Sequence, residues 1–142
     1  MIRFIEQKDK EKVLALMREF YASDAASTNG SEQIFENDID TCLSNGPYLD
    51  GFVVDIGEIV GYMMIAKSFS TEFGKPCVWI EDIFIKEKYR SQKIGSKLME
   101  FVQERYSDCI IRLEVEKENK RAIALYEKYG FTYLPYSEMK KE

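Results

Sequence analysis

Apolar residues recur at three- and four-residue spacing in four stretches of the chain and alternate with polar residues in others. Val13, Leu16, Met17 and Phe20 mark one face of a helix over residues 8–22. Ser31 is a helix-capping residue type, and Ile34, Ile39 and Leu43 follow it on a second, acidic helix ended by "SNGP". Ile94, Leu98, Phe101, Val102 and Tyr106 stripe a third helix. Asn119 opens a fourth, with Ala122, Leu125, Tyr126 and Tyr129 on its buried face and Gly130 where a left-handed C-terminal cap belongs. Strand patterns run over 2–5, 49–55, 58–67, 77–85 and 110–115, with "DIGE" as a hairpin signal and "STEFGKP" as a second turn. "ASTNGS", between the first two helices, reads as a loop. The closing "FTYLPYSEMKK" can hold only short strand pieces, broken at Pro135. The order β-α-α-β-β-β-α-β-α-β predicts one α/β domain over residues 1–142, a mixed sheet with helices on both faces.

Composition narrows the chemistry. The chain has no histidine, which removes Ser–His and Cys–His dyads and histidine-ligated zinc together. Carboxylates, tyrosine, lysine, backbone dipoles or a cofactor remain, and nothing points to a metal. Cys42, Cys77 and Cys109 are widely separated and odd in number, so they read as small buried hydrophobes rather than a disulfide framework. The apolar run Ile59–Ala66 is far too short to span a bilayer, and charged residues follow the N-terminus almost at once. A cytoplasmic protein with no membrane partner is expected. A net charge of −5 disfavours nucleic acid and favours a cationic partner.

Against that acidic background, residues 86–97 hold Lys86, Lys88, Arg90, Lys93 and Lys97 with one acid, Glu87. They sit where a strand turns into a helix. A helix N-terminus carries unpaired N–H groups and about half a positive charge, and Gly95 lets a ligand approach closely. Phosphate or pyrophosphate is the expected ligand. A basic turn is also the ordinary appearance of solvated surface, and this feature alone does not separate the two.

A second pattern adds to it. Arg90-Ser91-Gln92-Lys93-Ile94-Gly95 is followed, after one strand, by Asn119, Ala122, Leu125, Tyr126, Gly130 and Phe131. In these residues the chain resembles the GNAT superfamily of N-acetyltransferases, with R/Q-x-x-G-x-G/A at the turn and N-x-x-A-x-x-L-Y-x-x-x-G-F on the last helix. The match is specific over residues 80–131 and generic before residue 50. Lys93 replaces the first motif glycine. "WIEDIFIKEKYRSQKIGSKL" is further similar to diamine (polyamine) acetyltransferases.

The resemblance implies a largely antiparallel, twisted sheet whose fourth and fifth strands splay apart, with acetyl-CoA as co-substrate in the gap. Arg90 and the backbone of Gln92, Lys93, Ile94, Gly95, Ser96 and Lys97 would hold the pyrophosphate. The strand edge at Phe84 and Ile85 would pair with the pantetheine amides, and Asn119 would bond the cofactor arm. Tyr126 would protonate the leaving thiolate, although on residue type alone it also reads as a core aromatic. Glu81 would take a proton from the amine, directly or through water. Adjacent residues of a strand face opposite sides, so Glu81 and Asp82 are expected on different faces. Asp82, Glu32 and Glu36 are candidates for the acceptor side. A small-molecule amine, such as a polyamine, is the expected acceptor. A protein amine, or a non-catalytic acyl-CoA-binding module, is the alternative, and homodimer formation stays open.

Overall fold

A computed structural model describes residues 1–26 and 30–142. Residues 27–29 of the expected "ASTNGS" loop lie outside the described residues. The elements are β1 (Ile2–Phe4), α1 (Lys10–Tyr21), α2 (Glu32–Leu43), β2 (Leu49–Asp55), β3 (Ile59–Ser70), β4 (Lys75–Ile85), α3 (Ile94–Arg105), β5 (Ile110–Leu113) and α4 (Lys120–Lys128). Short 3-10 helices precede α1 and α3, one turn at Gln7–Asp9 and two turns at Glu87–Gln92.

The strands form one sheet in the order β1-β2-β3-β4-β5, antiparallel except for the parallel β4–β5 pair. Alternation along β2 and β3 decides which helices cover which face. Phe52, Val54, Met63 and Ile65 pack with Ile94, Leu98, Met99 and Val102 of α3 and Tyr126 of α4. Val53, Tyr62 and Met64 point the other way, onto Val13, Leu16 and Met17 of α1 and Phe35 and Ile39 of α2. Leu98 and Val13 are wholly inaccessible, and each such side chain contributes roughly 1.5–3 kcal/mol relative to exposure. The helices therefore lie on both faces, as the periodicity predicts.

The ends of the elements carry their own chemistry. Ser31 caps α2 by accepting from the Ile34 N–H at 3.3 Å. Asp9, buried ahead of α1, takes Arg3 through Nη1 at 2.8 Å and Nη2 at 3.0 Å, and Arg3 also bonds Asp55 at the end of β2. The Arg3 guanidinium holds the Asp9 carboxyl below its usual range.

Two strand expectations change. β3 and β4 are longer than their patterns suggest, because the hairpin pairs out to Ser70↔Lys75. The C-terminal strand pieces do not form: residues 131–142 carry no helix or strand, and all from Thr132 onward are exposed. That segment neither finishes the sheet nor pairs within the chain. With Pro135 in its middle it cannot supply a continuous row of ladder donors.

Candidate active site

The site begins with a fault in one strand. Along the β3–β4 ladder Met64 pairs with Asp82 and Ile65 with Ile80, which leaves Glu81 as an extra, unpaired residue. This is a β-bulge, and it resets the alternation of β4. Ile80 and Ile83 both join the core under α3 and α4. The two residues between them both leave that face. The expectation that Glu81 and Asp82 face opposite sides is thus corrected: the bulge puts the two carboxylates on the same side of the sheet.

Asp82 is buried there between α1 and β3. Tyr62 donates to its Oδ2 at 2.7 Å and Tyr21 to its Oδ1 at 3.0 Å. Burial raises the Asp82 pKa, and the two phenol donors oppose the rise. Glu81 is raised by burial first and then by the Asp82 charge. Asp38, half-buried on α2, is pushed up to about 6, first by its burial and then by the charges of Asp82 and Glu81.

The parallel β4–β5 ladder stops at Ile80↔Leu113, at the bulge, while β4 runs on to Ile85 paired only with β3. The two strands therefore part from Glu81 onward. Just past the ladder, Glu114 and Val115 line a cleft of about 780 Å³ whose other walls are α4, at Ile123 and Tyr126, and the C-terminal segment, at Phe131, Leu134 and Glu138; no β4 residue beyond Trp79 lines it. Glu114 is raised to about 7, first by a hydrogen bond with Glu138 and then by burial, with Glu81 adding to the effect. The Tyr126 hydroxyl has no hydrogen-bond partner among the described residues, and burial pushes it up to about 12. It is a protonated donor facing a cleft at neutral pH.

At the far end of β4 the chain enters the basic turn. Lys93 caps α3 with φ +60° and ψ +22°, the left-handed conformation that suits the glycine it replaces. The first intrahelical bond runs from the Lys97 N–H to the Lys93 carbonyl at 3.2 Å. The N–H groups of Ile94, Gly95 and Ser96 precede it and are available to an anion. Lys93 and Lys97 are exposed and carry no ion pair among the described residues. Gly95 has a packing role as well, since an added Cβ would meet Leu125 of α4 at 3.1 Å.

Other candidates have local partners. Arg90 donates through Nε to the Ile85 carbonyl at 2.8 Å and lies over the Phe84 ring. The Phe84 side chain is buried against α1, and Ile85 packs on the α3 side. Asn119 caps α4 by accepting from the Ala122 N–H at 3.3 Å. Glu32 bonds Arg18 across the α1–α2 gap, and Glu36, half-buried one turn further along α2, lies between that pair and the Lys10–Asp40 pair and acts on both cations by charge. Tyr21, Tyr62 and Glu114 carried no signal in the sequence, because their partners come from other elements. Cys42 and Cys109 are partly buried and Cys77 buried, and burial raises Cys42 to about 12, an inert thiol. No helix among the described residues is long and apolar enough to cross a membrane.

Comparison with known proteins agrees with this geometry. Thialysine N-epsilon-acetyltransferase from Bos taurus is 34% identical over 152 aligned positions, covering 97% of this chain and 87% of that protein. Spermine/spermidine N(1)-acetyltransferase from Bacillus subtilis is 29% identical over 83 positions, covering 54% of this chain and 55% of that protein. Among solved structures, a possible acetyltransferase from Clostridium difficile superposes with TM-score 0.83 at 18% identity, covering 100% of this chain and 96% of that one. The structure of AAC(6')-Iy in complex with the bisubstrate analog CoA-S-monomethyl-acetylneamine gives 0.79 at 16% identity, covering 100% and 97%. The profile of the Acetyltransferase (GNAT) family matches residues 12–131. The chain belongs to the GNAT family and is an acetyl-CoA-dependent N-acetyltransferase.

Proposed function

We propose that the enzyme transfers the acetyl group of acetyl-CoA directly to a primary amine of a small molecule, in the gap between β4 and β5. The observation that carries this reading is the bulge at Glu81, where strand separation and an elevated carboxylate coincide. The relatives' printed acceptors, thialysine and spermine/spermidine, are small amines and support it.

Each residue then has one task. The first turn of α3, with Lys93 and Lys97, seats the pyrophosphate. Glu81 takes a proton from the acceptor ammonium, directly or through water. The neutral nitrogen attacks the thioester carbonyl, the now cationic nitrogen releases its second proton to water, and the oxyanion collapses with cleavage of the C–S bond. Tyr126 gives its proton to the departing thiolate, and solvent restores both groups. Holding both substrates in one cleft supplies proximity. Three free thiols fit a reducing compartment, and the cytoplasm is the proposed setting.

Acetyl-CoA titration followed by thiol release against amino acids, diamines and peptides tests this. Thiol release with a small amine is the expected result, and Glu81→Gln should lower kcat/KM by about 100-fold or more at neutral pH. Binding without release on any amine would leave a non-catalytic acyl-CoA module, and release with peptides alone would leave a protein-amine enzyme.

A further inference from the structure

The chain ends in a segment that runs beside the sheet without joining it. It leaves α4 through Gly130, whose φ of +90° suits glycine. The Phe131 N–H still donates to the Tyr126 carbonyl at 3.1 Å. From Thr132 onward no backbone group has a hydrogen-bond partner among the described residues, and β5 is the outermost strand of the sheet, with that edge unpaired. Side chains alone hold the segment. Tyr136 donates to Glu72 Oε2 in the β3–β4 turn at 2.8 Å. Glu138 shares a hydrogen bond with Glu114, just past β5.

The segment reaches from one proposed catalytic group to the other. The Phe131 ring lies 5.9 Å from the Tyr126 ring, and Glu138 acts by charge on Glu81. Between these points Leu134 and Tyr136 wall the cleft of about 780 Å³ together with Trp79 and Arg112. Arg112 lies over the Trp79 ring at 4.7 Å, and its charge reaches Tyr136. Its Nε is shut off from water and has no hydrogen-bond partner among the described residues. A buried donor left unpaired opposes this closed arrangement, and water would satisfy it once the segment lifted. Two side-chain contacts set against one orphaned donor make a closure that a small change can reverse.

Building on the proposed transfer between Glu81 and Tyr126, we propose that residues 131–138 are an autoinhibitory strap, hinged at Gly130, and that the Glu114–Glu138 contact is its proton-dependent catch. With one proton between the two carboxyls, the strap closes over Tyr126 and Glu81. Without it, the carboxylates repel each other and the strap lifts to admit the substrates. The same cleft holds Glu127 and Tyr126 of α4 and Tyr136 of the segment, while Arg112 and Lys117 flank Glu114 along the chain. The hydrogen bond with Glu138 acts on Glu114 first, then burial, then the charges of Glu138 and Glu81. Together they raise Glu114 to about 7, so the catch is at full strength below about pH 4, the ordinary carboxyl value, and is lost as pH rises through about 7.

Trp79 is the single tryptophan of the chain and lines the cleft, so acrylamide quenching of its fluorescence reports the strap. In the whole protein without substrates, the quenching constant should rise about twofold or more between about pH 6 and about pH 8. Glu138→Gln keeps a donor for Glu114 at every pH and should stay at the low value throughout. Glu138→Ala has no catch and should stay at the high value. Both variants remove the Glu138 charge felt by Glu81, so a difference in turnover between them reports the strap and not the base. At about pH 6, Glu138→Ala should release thiol about threefold or more faster than Glu138→Gln. Glu114 and Glu138 are exposed, so the thermal midpoints should stay close to that of the parent. Quenching that does not change with pH in the parent, or that rises in Glu138→Gln as it does in the parent, overturns the catch. Equal turnover of the two variants overturns the strap as a gate while the transfer reading stands. No thiol release by the parent on any amine overturns the transfer reading and the gate with it, and the quenching series still decides the catch.

Discussion

Replacing Lys93 by glycine tests the turn on which the cofactor seat depends. Lys93 holds φ +60° and ψ +22° at the N-cap of α3. A side chain in that region costs roughly 1–2 kcal/mol. Glycine removes the cost but adds freedom to the unfolded chain, which returns about 0.5–1 kcal/mol of it. The net expectation is a gain of about 0.5–1 kcal/mol. For a chain of 142 residues that raises the thermal midpoint by about 1–4 °C. The sign is diagnostic, because at an ordinary right-handed position the same substitution destabilises. The variant also removes one exposed charge from the mouth of the helix. Acetyl-CoA affinity by calorimetry should fall about two- to fivefold at low salt, and the difference should shrink as salt is added. A lower midpoint would refute the left-handed conformation. Undiminished affinity at low salt would remove Lys93 from the pyrophosphate seat.

Two further outcomes follow from the acid and tyrosine groups. Tyr126→Phe should reduce kcat by about 100-fold or more while leaving acetyl-CoA binding and the thermal midpoint nearly unchanged, since the lost hydroxyl has no partner among the described residues; a loss of only a few-fold would exclude it as the thiolate's acid. Asp38, raised to about 6, binds its proton more tightly in the folded state, so its ionised form weakens the fold fully above about pH 6 and not at all below its unfolded value of about 4. Asp38→Asn should therefore be more stable than the parent at pH 8 and equal to it at about pH 4 in urea titrations; a gain of the same size at both would mean that titration is not its cause.

What could be read from the sequence was what is local. The helix stripes, the Ser31 and Asn119 caps, the β2–β3 hairpin and the basic turn are each set by residues within about a dozen positions of one another. The bulge at Glu81 was not legible, since it exists only relative to the register of β3. Neither were the donors on Asp82, which come from 61 and 20 residues earlier in the chain. Arg18 and Glu32 meet only because α1 and α2 pack side by side. Glu36, which shares the acidic pattern with Glu32, lies one helical turn on and makes no ion pair of its own among the described residues. The C-terminal segment failed as a strand for a different reason: apolar residues around Pro135 resemble strand pieces, but a strand is defined by a neighbour's backbone, and β5 supplies a ladder of only four residues.

The extra residue in β4 does more than bend a strand. Without it, alternation from Ile80 would carry Asp82 into the apolar layer beneath α3 and turn Ile83 and Phe84 onto the wrong cores. With it, Ile83 and Ile85 return to the α3 side, Phe84 packs under α1, and Asp82 reaches Tyr21 and Tyr62. One insertion thus satisfies two cores and leaves two carboxylates adjacent at the point where β5 departs. Their environments then separate them. Burial raises both, but Asp82 alone has phenol donors that oppose the rise, while Glu81 also feels the Asp82 charge. Tyr21 and Tyr62 hold the Asp82 carboxylate in place, whereas Glu81 has no side-chain hydrogen-bond partner among the described residues. In the proposed reaction that is the difference between the group that orients the incoming ammonium and the group that deprotonates it.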